Sequence, residues 1–367
     1  MMTDNGDSLE ETLIEILAKL PVKSLLRLRC VCKSWYTIIK DPIFINKHLN
    51  NDKNIRLIVT YCKGVEKQNE LQEAVYPDEF FGLYSDETLE HLSLIDLDPL
   101  KPIIGSLWGP YCGIFCIIGI TNLVSLWNLA TQESRTLPKL AVLSQNTNVH
   151  STDVGFGLDL MTNDYKLVLI MTFWDEKRNL LCESCHVAVY TLGNNSWREF
   201  ECFKSFHYYL PWLVDNTVYW NGACYWLLEL KDDNNNLILS FHLGEEEFQE
   251  VEGPRISKSA KITLGIHGEF LSLLVLDTMV DCFEIWVMEK RNWIKQLTLG
   301  PFTAIHRPLK FWKKGGFFVE SDFTQLLLYE PSTGEMRDFE LKCYWFGIDI
   351  YNESLVTIKG GDNLSNE

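Results

Sequence analysis

The hydrophobic positions of this chain follow two different periods, and the change comes near residue 50. From Ser8 to about Leu49, apolar residues recur at three- and four-residue spacing, as in amphipathic helices. Ser8 and Glu11 fit a capping box at the start of the first helix, and Pro21 ends that helix and suits the first turn of the next. The pattern predicts two helices, and a third apolar group before Asp41 predicts another: Trp35, Ile38 and Ile39.

The predicted helices carry apolar side chains on more than one face, because Ile14, Val22 and Leu26 lie off the main stripes. A segment of about forty residues rarely builds an independent core. Each aliphatic side chain withdrawn from water gains about 1.5–3 kcal/mol. The surplus of apolar side chains therefore has two interpretations. The segment is either a helical hairpin that packs on its own neighbouring domain or a module that binds another protein.

After Asn50 the pattern changes to short strands joined in pairs by polar turns. Five such hairpins are anchored at intervals of 63, 51, 45 and 43 residues, by Trp127, Tyr190, Phe241, Trp286 and Tyr329. These intervals approximate the length of a four-stranded propeller blade, and a hairpin over residues 80–97 supplies a sixth. The alternative with the same strand content is a two-sheet sandwich.

The sequence thus predicts a mixed, mainly β protein of two domains. Residues 1–50 form a small three-helix module, and residues 51–360 form a β-propeller-like domain of about six blades. Apolar runs flanked by glycine, such as residues 153–160, predict the inner strands. Because no long linker is evident, the module is expected to rest directly on the first strands, near Ile55–Tyr61.

Charge separates the two domains. Residues 1–50 hold seven lysines and arginines against six aspartates and glutamates, which gives a charge of +1. Because the whole chain carries −17, the remaining residues carry −18. Such an acidic domain is a poor partner for nucleic acid or an anionic membrane and a suitable one for a basic protein. The same acidity could serve only to keep a large β domain soluble.

The location of the protein follows from what its sequence lacks. No apolar run is as long as a membrane span, and the N-terminus has neither the basic nor the apolar region of a signal peptide. Eleven irregularly spaced cysteines argue against a disulfide framework and for a reducing compartment. We therefore expect the protein in the cytoplasm or the nucleus.

Chemistry-bearing motifs are scarce. Cys182 and Cys185, followed by His186, have the only spacing that suggests metal or redox chemistry, but a zinc site needs four ligands. Incidental cysteines in a solvent loop are the expected explanation. The tryptophans at 127, 220, 226, 286 and 312 are expected at strand positions in the core. The sequence indicates no catalytic centre, no metal and no cofactor.

The helical segment resembles the F-box, in the form common in plants, through its run LPVKSLLRLRCVCKSWYTII. The resemblance implies that the module binds a Skp-type adaptor and through it a cullin. The positions that match the motif are Leu9, Ile14, Leu20, Pro21, Val22, Leu25, Leu26, Val31, Cys32 and Trp35. One position departs from it, because the family usually has proline where Glu10 follows Leu9.

The strand-rich region is similar to the plant F-box-associated (type 1) domain, most clearly in the run GFGLDLMTNDYKLV. Within that family, the runs FWKKGG, IWVM and YNESLV resemble the S-locus F-box proteins. This resemblance implies a non-catalytic, substrate-recognising subunit of a ubiquitin ligase that binds basic S-ribonucleases in pollen. A receptor for another plant protein, or a binding propeller without a role in degradation, remains the alternative.

Substrate contact is expected through acidic turns on one face of the propeller, because connecting loops usually carry the binding residues. A charged turn is also often merely solvated. The candidate residues are Asp78, Glu79, Asp86, Glu87, Glu176, Asp232, Asp233, Glu245, Glu246 and Glu247.

Overall fold

The computed structural model describes residues 4–51, 55–62, 79–85, 88–95, 104–119, 122–145, 149–175, 180–181, 185–202, 208–209, 217–230, 235–342 and 346–358.

Four helices open the chain: α1 (Asp4–Leu17), α2 (Val22–Leu28), α3 (Lys33–Lys40) and α4 (Pro42–Leu49). Pro21 separates the first two, as predicted. The capping-box prediction is wrong, because α1 begins at Asp4 and Ser8 lies inside it. The fourth helix adds to the three expected, and the Asp41 side chain caps it by accepting a hydrogen bond from the Ile43 amide at 2.7 Å.

The strands form six antiparallel sheets, the blades. Blade 1 consists of β26 (Phe346–Asn352), β1 (Ile55–Cys62), β2 (Glu79–Ser85) and β3 (His91–Leu94). Blade 2 consists of β4 (Ile104–Tyr111), β5 (Ile114–Gly119), β6 (Val124–Asn128) and β7 (Glu133–Thr136). The short helix α5 (Ala141–Gln145) follows it.

Blade 3 contains β8 (Val149–Asp159), β9 (Asp164–Asp175), the short β10 (Leu180–Leu181), β11 (Cys185–Thr191) and β12 (Ser196–Cys202). Blade 4 contains the short β13 (Tyr208–Tyr209), β14 (Thr217–Trp220), β15 (Ala223–Leu230), β16 (Asn235–His242) and β17 (Glu247–Arg255).

Blade 5 contains β18 (Lys261–His267), β19 (Phe270–Asp277), β20 (Cys282–Glu289) and β21 (Asn292–Leu299). Blade 6 contains β22 (Ile305–Phe311), β23 (Phe317–Ser321), β24 (Gln325–Glu330) and β25 (Glu335–Lys342), with a 3-10 turn at Lys313–Gly315.

The blades close into a ring. Each innermost strand contacts the innermost strand of the next blade, from β4 through β8, β14, β18, β22 and β26 back to β4. The last strand, β26, pairs with the first, β1, with Asn352 opposite Ile55. This closure confirms the six-bladed propeller and excludes the two-sheet sandwich. All five predicted hairpins form outer strand pairs of blades, and so does the sixth, of which residues 80–85 and 88–95 are described.

The ring has two faces, because consecutive strands of a blade run in opposite directions. One face carries the turns between first and second and between third and fourth strands, together with the start of β1 and the end of β26. We call it the module face. The other, the distal face, carries the turns between second and third strands and the connections between blades. Hydrogen bonds link turns within each face, as between Trp220 and Glu269 on the module face.

The helical module packs on the residues that follow β26. The Glu353 carboxylate accepts a hydrogen bond from the Val22 amide at 2.7 Å, and the Asn352 side chain donates one to the Leu49 carbonyl at 2.7 Å. Leu355 is buried among the helices. The expectation that the module rests on Ile55–Tyr61 is therefore corrected: its main platform is the C-terminal segment.

Candidate functional site

The residues that match the adaptor-binding motif divide into two groups. Val22 and Leu25 are fully buried and pack with Ile38, Ile39 and Phe44 in the core of the helical module. Because both side chains are buried, they are not accessible to a partner in this conformation. Removing them would affect the fold of the module itself.

The remaining motif residues lie nearer the surface. Pro21, Val31 and Cys32 are exposed, and four are half-buried: Ile14, Leu20, Leu26 and Trp35. Leu9 lies in α1, and its side chain is outside the described residues.

Three further exposed apolar side chains lie on the helices and do not belong to the motif-matching positions. They are Ile16 on α1, Tyr36 on α3 and Ile43 on α4. Ile16 fits the three- and four-residue spacing of the apolar positions in this segment, yet its side chain is 56% exposed. Together with Val31, these side chains leave apolar surface on the module that a partner could cover, at about 1.5–3 kcal/mol for each fully buried side chain.

Most acidic candidates for substrate binding lie outside the described residues: Asp78, Asp86, Glu87, Glu176, Asp232 and Asp233. Glu79 begins β2, and its side chain is likewise outside them. Glu245, Glu246 and Glu247 lie where β16 turns into β17, on the module face. Glu245 and Glu247 are exposed, and Glu246 is half-buried.

Glu246 is engaged by the protein itself. Its carboxylate lies 2.8 Å from Lys166 Nζ and also pairs with Arg198. Lys166 Nζ lies 2.9 Å from the fully buried Asp159 and donates to the Leu243 carbonyl at 2.7 Å. Glu246 therefore joins blades 3 and 4, and Glu245 and Glu247 are the acidic side chains that this turn offers to a partner.

The charges of this ion cluster depend on each other. Burial alone would raise the pKa of Asp159, but hydrogen bonds from Lys166 and from the following turn outweigh it, so the pKa lies below its ordinary value. Burial alone would lower the pKa of Lys166, but the carboxylates of Glu246 and Asp159 raise it above its ordinary value. Asp159 and Lys166 are therefore both ionised at neutral pH.

The run GFGLDLMTNDYKLV builds the contact between blades 3 and 4. A Cβ atom added to Gly157 would overlap the ring of Tyr219, and one added to Gly155 would overlap Trp226 and Cys224. The Tyr219 hydroxyl donates to the Leu158 carbonyl at 2.9 Å. The glycines are needed because the aromatic rings of blade 4 lie directly against β8.

The cysteine motif is described only in part. Cys182 lies outside the described residues, and Cys185 is buried in β11, which corrects the expected solvent loop. His186 Nε2 contacts Glu199 at 3.0 Å. Burial raises the pKa of the Cys116 and Cys224 thiols, which disfavours the reactive thiolate. Within the described ranges, no three His, Cys, Asp or Glu side chains are grouped to hold a metal ion.

The tryptophans mostly follow the prediction. Trp127 and Trp226 are buried at strand positions, and Trp220 and Trp286 are half-buried in strands. Trp312 is half-buried and comes directly after β22. Among the residues with described coordinates, no helix is long and apolar enough to cross a membrane.

Comparison with known protein families gives two matches. A model of the F-box domain matches residues 10–47, and a model of the F-box associated beta propeller domain, FBA_3, matches residues 96–343. The second match covers more than half of the chain. The expected type 1 form of this domain is not confirmed.

Curated relatives from Arabidopsis thaliana align over most of both chains. The F-box/kelch-repeat protein At3g23880 is 26% identical over 342 residues, which cover 89% of this chain and 88% of the relative. The F-box protein CPR1 is 26% identical over 364 residues, which cover 89% and 83%. The putative F-box protein At5g62660 is 29% identical over 305 residues, which cover 79% and 77%.

Solved structures are more distant. A chain in the crystal structure of the nidogen/laminin complex aligns with 82% of this chain and 99% of its own length, with a TM-score of 0.43 and 11% identity. That similarity is too low to bear on function.

Proposed function

We propose that this chain, which belongs to the F-box proteins with an F-box-associated β-propeller, is a substrate receptor of a Skp–cullin–F-box ubiquitin ligase. Its proposed substrates are basic S-ribonucleases. An F-box implies binding to a Skp-type adaptor and through it to a cullin, and hence the role of substrate-recognition subunit. F-box proteins are generally non-catalytic. Their contribution is proximity, because holding a substrate lysine near the activated ubiquitin raises its effective concentration.

One observation supports this role above the others: the F-box and a closed propeller are joined in a single chain with separate surfaces. The helical module presents exposed apolar side chains such as Val31 and Ile43. The module is fixed to one face of the ring through Glu353 and Leu355. The distal face stays available when the module is occupied, so adaptor and substrate can bind together.

The adaptor surface is tested by capture of the chain on a purified Skp-type adaptor. Val31→Asp with Ile43→Asp should weaken capture about ten-fold or more, because a carboxylate would be buried unpaired in the contact. Leu92→Asp, which changes an exposed leucine of blade 1, is the matched control and should bind normally. Leu25→Asp is unsuitable because Leu25 belongs to the module core. Undiminished capture of the double variant would reject this surface.

The choice of S-ribonucleases rests on the acidity of the propeller domain and on the runs FWKKGG, IWVM and YNESLV. Opposite net charges speed association and disfavour wrong partners. The structure puts IWVM at Ile285–Met288 in β20, and two of these four residues are buried, so this run acts in packing. The charge is therefore the stronger support.

The substrate is tested by binding of the chain–adaptor complex to a panel of purified S-ribonucleases, followed by reconstituted ubiquitination. Binding should weaken as ionic strength rises, because exposed charges are screened over about 8–10 Å in ordinary buffers. Binding without ubiquitin transfer would favour a non-degradative binding propeller. No binding across the panel would favour a receptor for another plant protein.

A further inference from the structure

Three large apolar side chains are exposed together on the distal face of blades 5 and 6. Met279 and Val280 are 76% and 57% exposed in the turn between β19 and β20. Phe323 is 69% exposed in the turn between β23 and β24. Both turns join second and third strands of adjacent blades, so they lie on the face opposite the helical module. We call Met279, Val280 and Phe323 the distal apolar group.

The two turns are tied to the connection that runs between the blades. The Phe302 amide donates to the Asp281 carbonyl at 2.7 Å, and the Asp322 amide donates to the Ala304 carbonyl at 2.9 Å. Residues 300–304 thus hold both turns at fixed positions. The ring of Phe302 packs beneath them against Phe283, with ring centroids 5.4 Å apart.

Each turn is also held by hydrogen bonds to and from side chains. The Asp277 carboxylate accepts from the Met279 amide at 2.9 Å, and the Thr278 hydroxyl donates to the Ser259 carbonyl at 3.0 Å. In blade 6, the Ser321 hydroxyl accepts from the amides of Phe323 and Gln325 at 3.2 and 3.1 Å. The backbone is therefore held in place while its apolar side chains point away from the core, an arrangement that lowers the entropic cost of binding.

Charge defines the complementary partner. Asp281 and Asp322 are exposed and lie directly beside the apolar side chains in the same two turns. The imidazole of His306 lies 3.9 Å from the Asp322 carboxylate, and Lys261, the first residue of β18, donates to the His306 carbonyl at 2.6 Å. An apolar centre with carboxylates beside it matches a segment in which large apolar residues alternate with lysine or arginine.

We propose that the distal apolar group is the substrate-docking surface of this chain, and that it binds a basic substrate segment carrying large apolar side chains. This inference rests on the proposed role as a substrate receptor. The apolar side chains of the segment cover Met279, Val280 and Phe323, and its cations approach Asp281 and Asp322. The docked segment lies on the face away from the adaptor.

The test uses the full chain in complex with a Skp-type adaptor and a displayed library of random peptides as the probe. Selected peptides should combine large apolar residues with lysine and arginine. The double variant Met279→Asp, Phe323→Asp should lower their affinity about ten-fold or more. The pair Asp281→Lys, Asp322→Lys should lower it less and reduce its dependence on salt.

Met161→Asp is the matched control, because Met161 is a methionine of nearly equal exposure, 73%, on the module face. It should leave peptide binding unchanged. Adaptor capture should be normal for all variants, which shows that they are folded. Peptides that bind the double variant as well as the original chain, a selection without basic residues, or no selection at all would overturn the proposal.

The same variants separate this inference from the proposed function. If an S-ribonuclease binds and is ubiquitinated equally by the double variant, the docking surface is wrong and the receptor role stands. If no S-ribonuclease binds while the selected peptides require Met279 and Phe323, the docking surface stands and the substrate is another protein.

Discussion

Replacing Lys166 with methionine is expected to destabilise the propeller strongly, because it leaves the buried Asp159 carboxylate without its cation. Asp159 is fully buried, and Lys166 contacts both Asp159 and Glu246, at 2.9 and 2.8 Å. Removing one member of a buried ion pair typically costs about 3–5 kcal/mol. Hydrogen bonds to Asp159 from the Met161 amide and the Thr162 hydroxyl remain, both at 2.8 Å, so we expect the lower part of that range.

The assay is urea unfolding followed by tryptophan fluorescence, which reports the free energy of unfolding. Arg337→Met is the matched control, because Arg337 pairs with Glu330 at 3.3 Å on the surface of blade 6. An exposed pair contributes about 0–1 kcal/mol. A cost for Lys166→Met no larger than that of Arg337→Met would refute the view that this cluster holds blades 3 and 4 together.

Acid should reduce the difference in the free energy of unfolding between Lys166→Met and the original chain. The pKa of Asp159 is lower in the folded protein than its ordinary value, so ionised Asp159 stabilises the fold above the unfolded pKa, about 3.9. That contribution is lost as pH falls through the lower, folded pKa. The stability gap should therefore narrow below about pH 4, and a gap independent of pH would contradict the assignment.

Two further predictions concern a buried acid and the platform of the module. Burial raises the pKa of Asp153 to about 7, and one of its carboxylate oxygens has no partner among the described residues. The folded state then holds a proton that the unfolded state has lost, so stability should fall by about 1.4 kcal/mol per pH unit from about pH 5 to 7. Asp153→Asn should abolish that fall in urea unfolding, and parallel pH profiles would reject it. Glu353→Ala removes the acceptor of the Val22 amide, which should cost α2 about 0.5–2 kcal/mol and speed its amide hydrogen exchange. Unchanged exchange in α2, with an unchanged propeller, would show that the hydrogen bond from Val22 to Glu353 does not stabilise this helix.

The propeller could be predicted because each hairpin leaves a recognisable pattern within a short stretch of sequence. Each hairpin combines a short apolar strand with a polar turn, as around Trp127 and Tyr329, and the interval between hairpins gives the blade length. The pairing that closes the ring, Ile55 with Asn352, joins residues nearly the whole chain apart. It could be inferred only from the number of hairpins.

The candidate surfaces were harder to predict, because exposure depends on contacts distant in sequence. Val22 and Val31 are equally apolar, yet Val22 is buried against the platform and Val31 is exposed. Glu245 and Glu246 are neighbours, yet only Glu246 meets Lys166, eighty residues away in the chain. The sequence alone does not show that apolar turn residues such as Met279 are exposed, so the distal apolar group could not be predicted from it.

The closing strand also has a consequence for the order in which the protein is made. The helical module is synthesised before the propeller, but its capping carboxylate, Glu353, and its core residue Leu355 come only after β26. The same final segment supplies β26, which closes the ring on β1. A chain that stops before Phe346 would therefore lack both a finished propeller and a supported module. One short segment therefore both closes the propeller and supports the helices of the module.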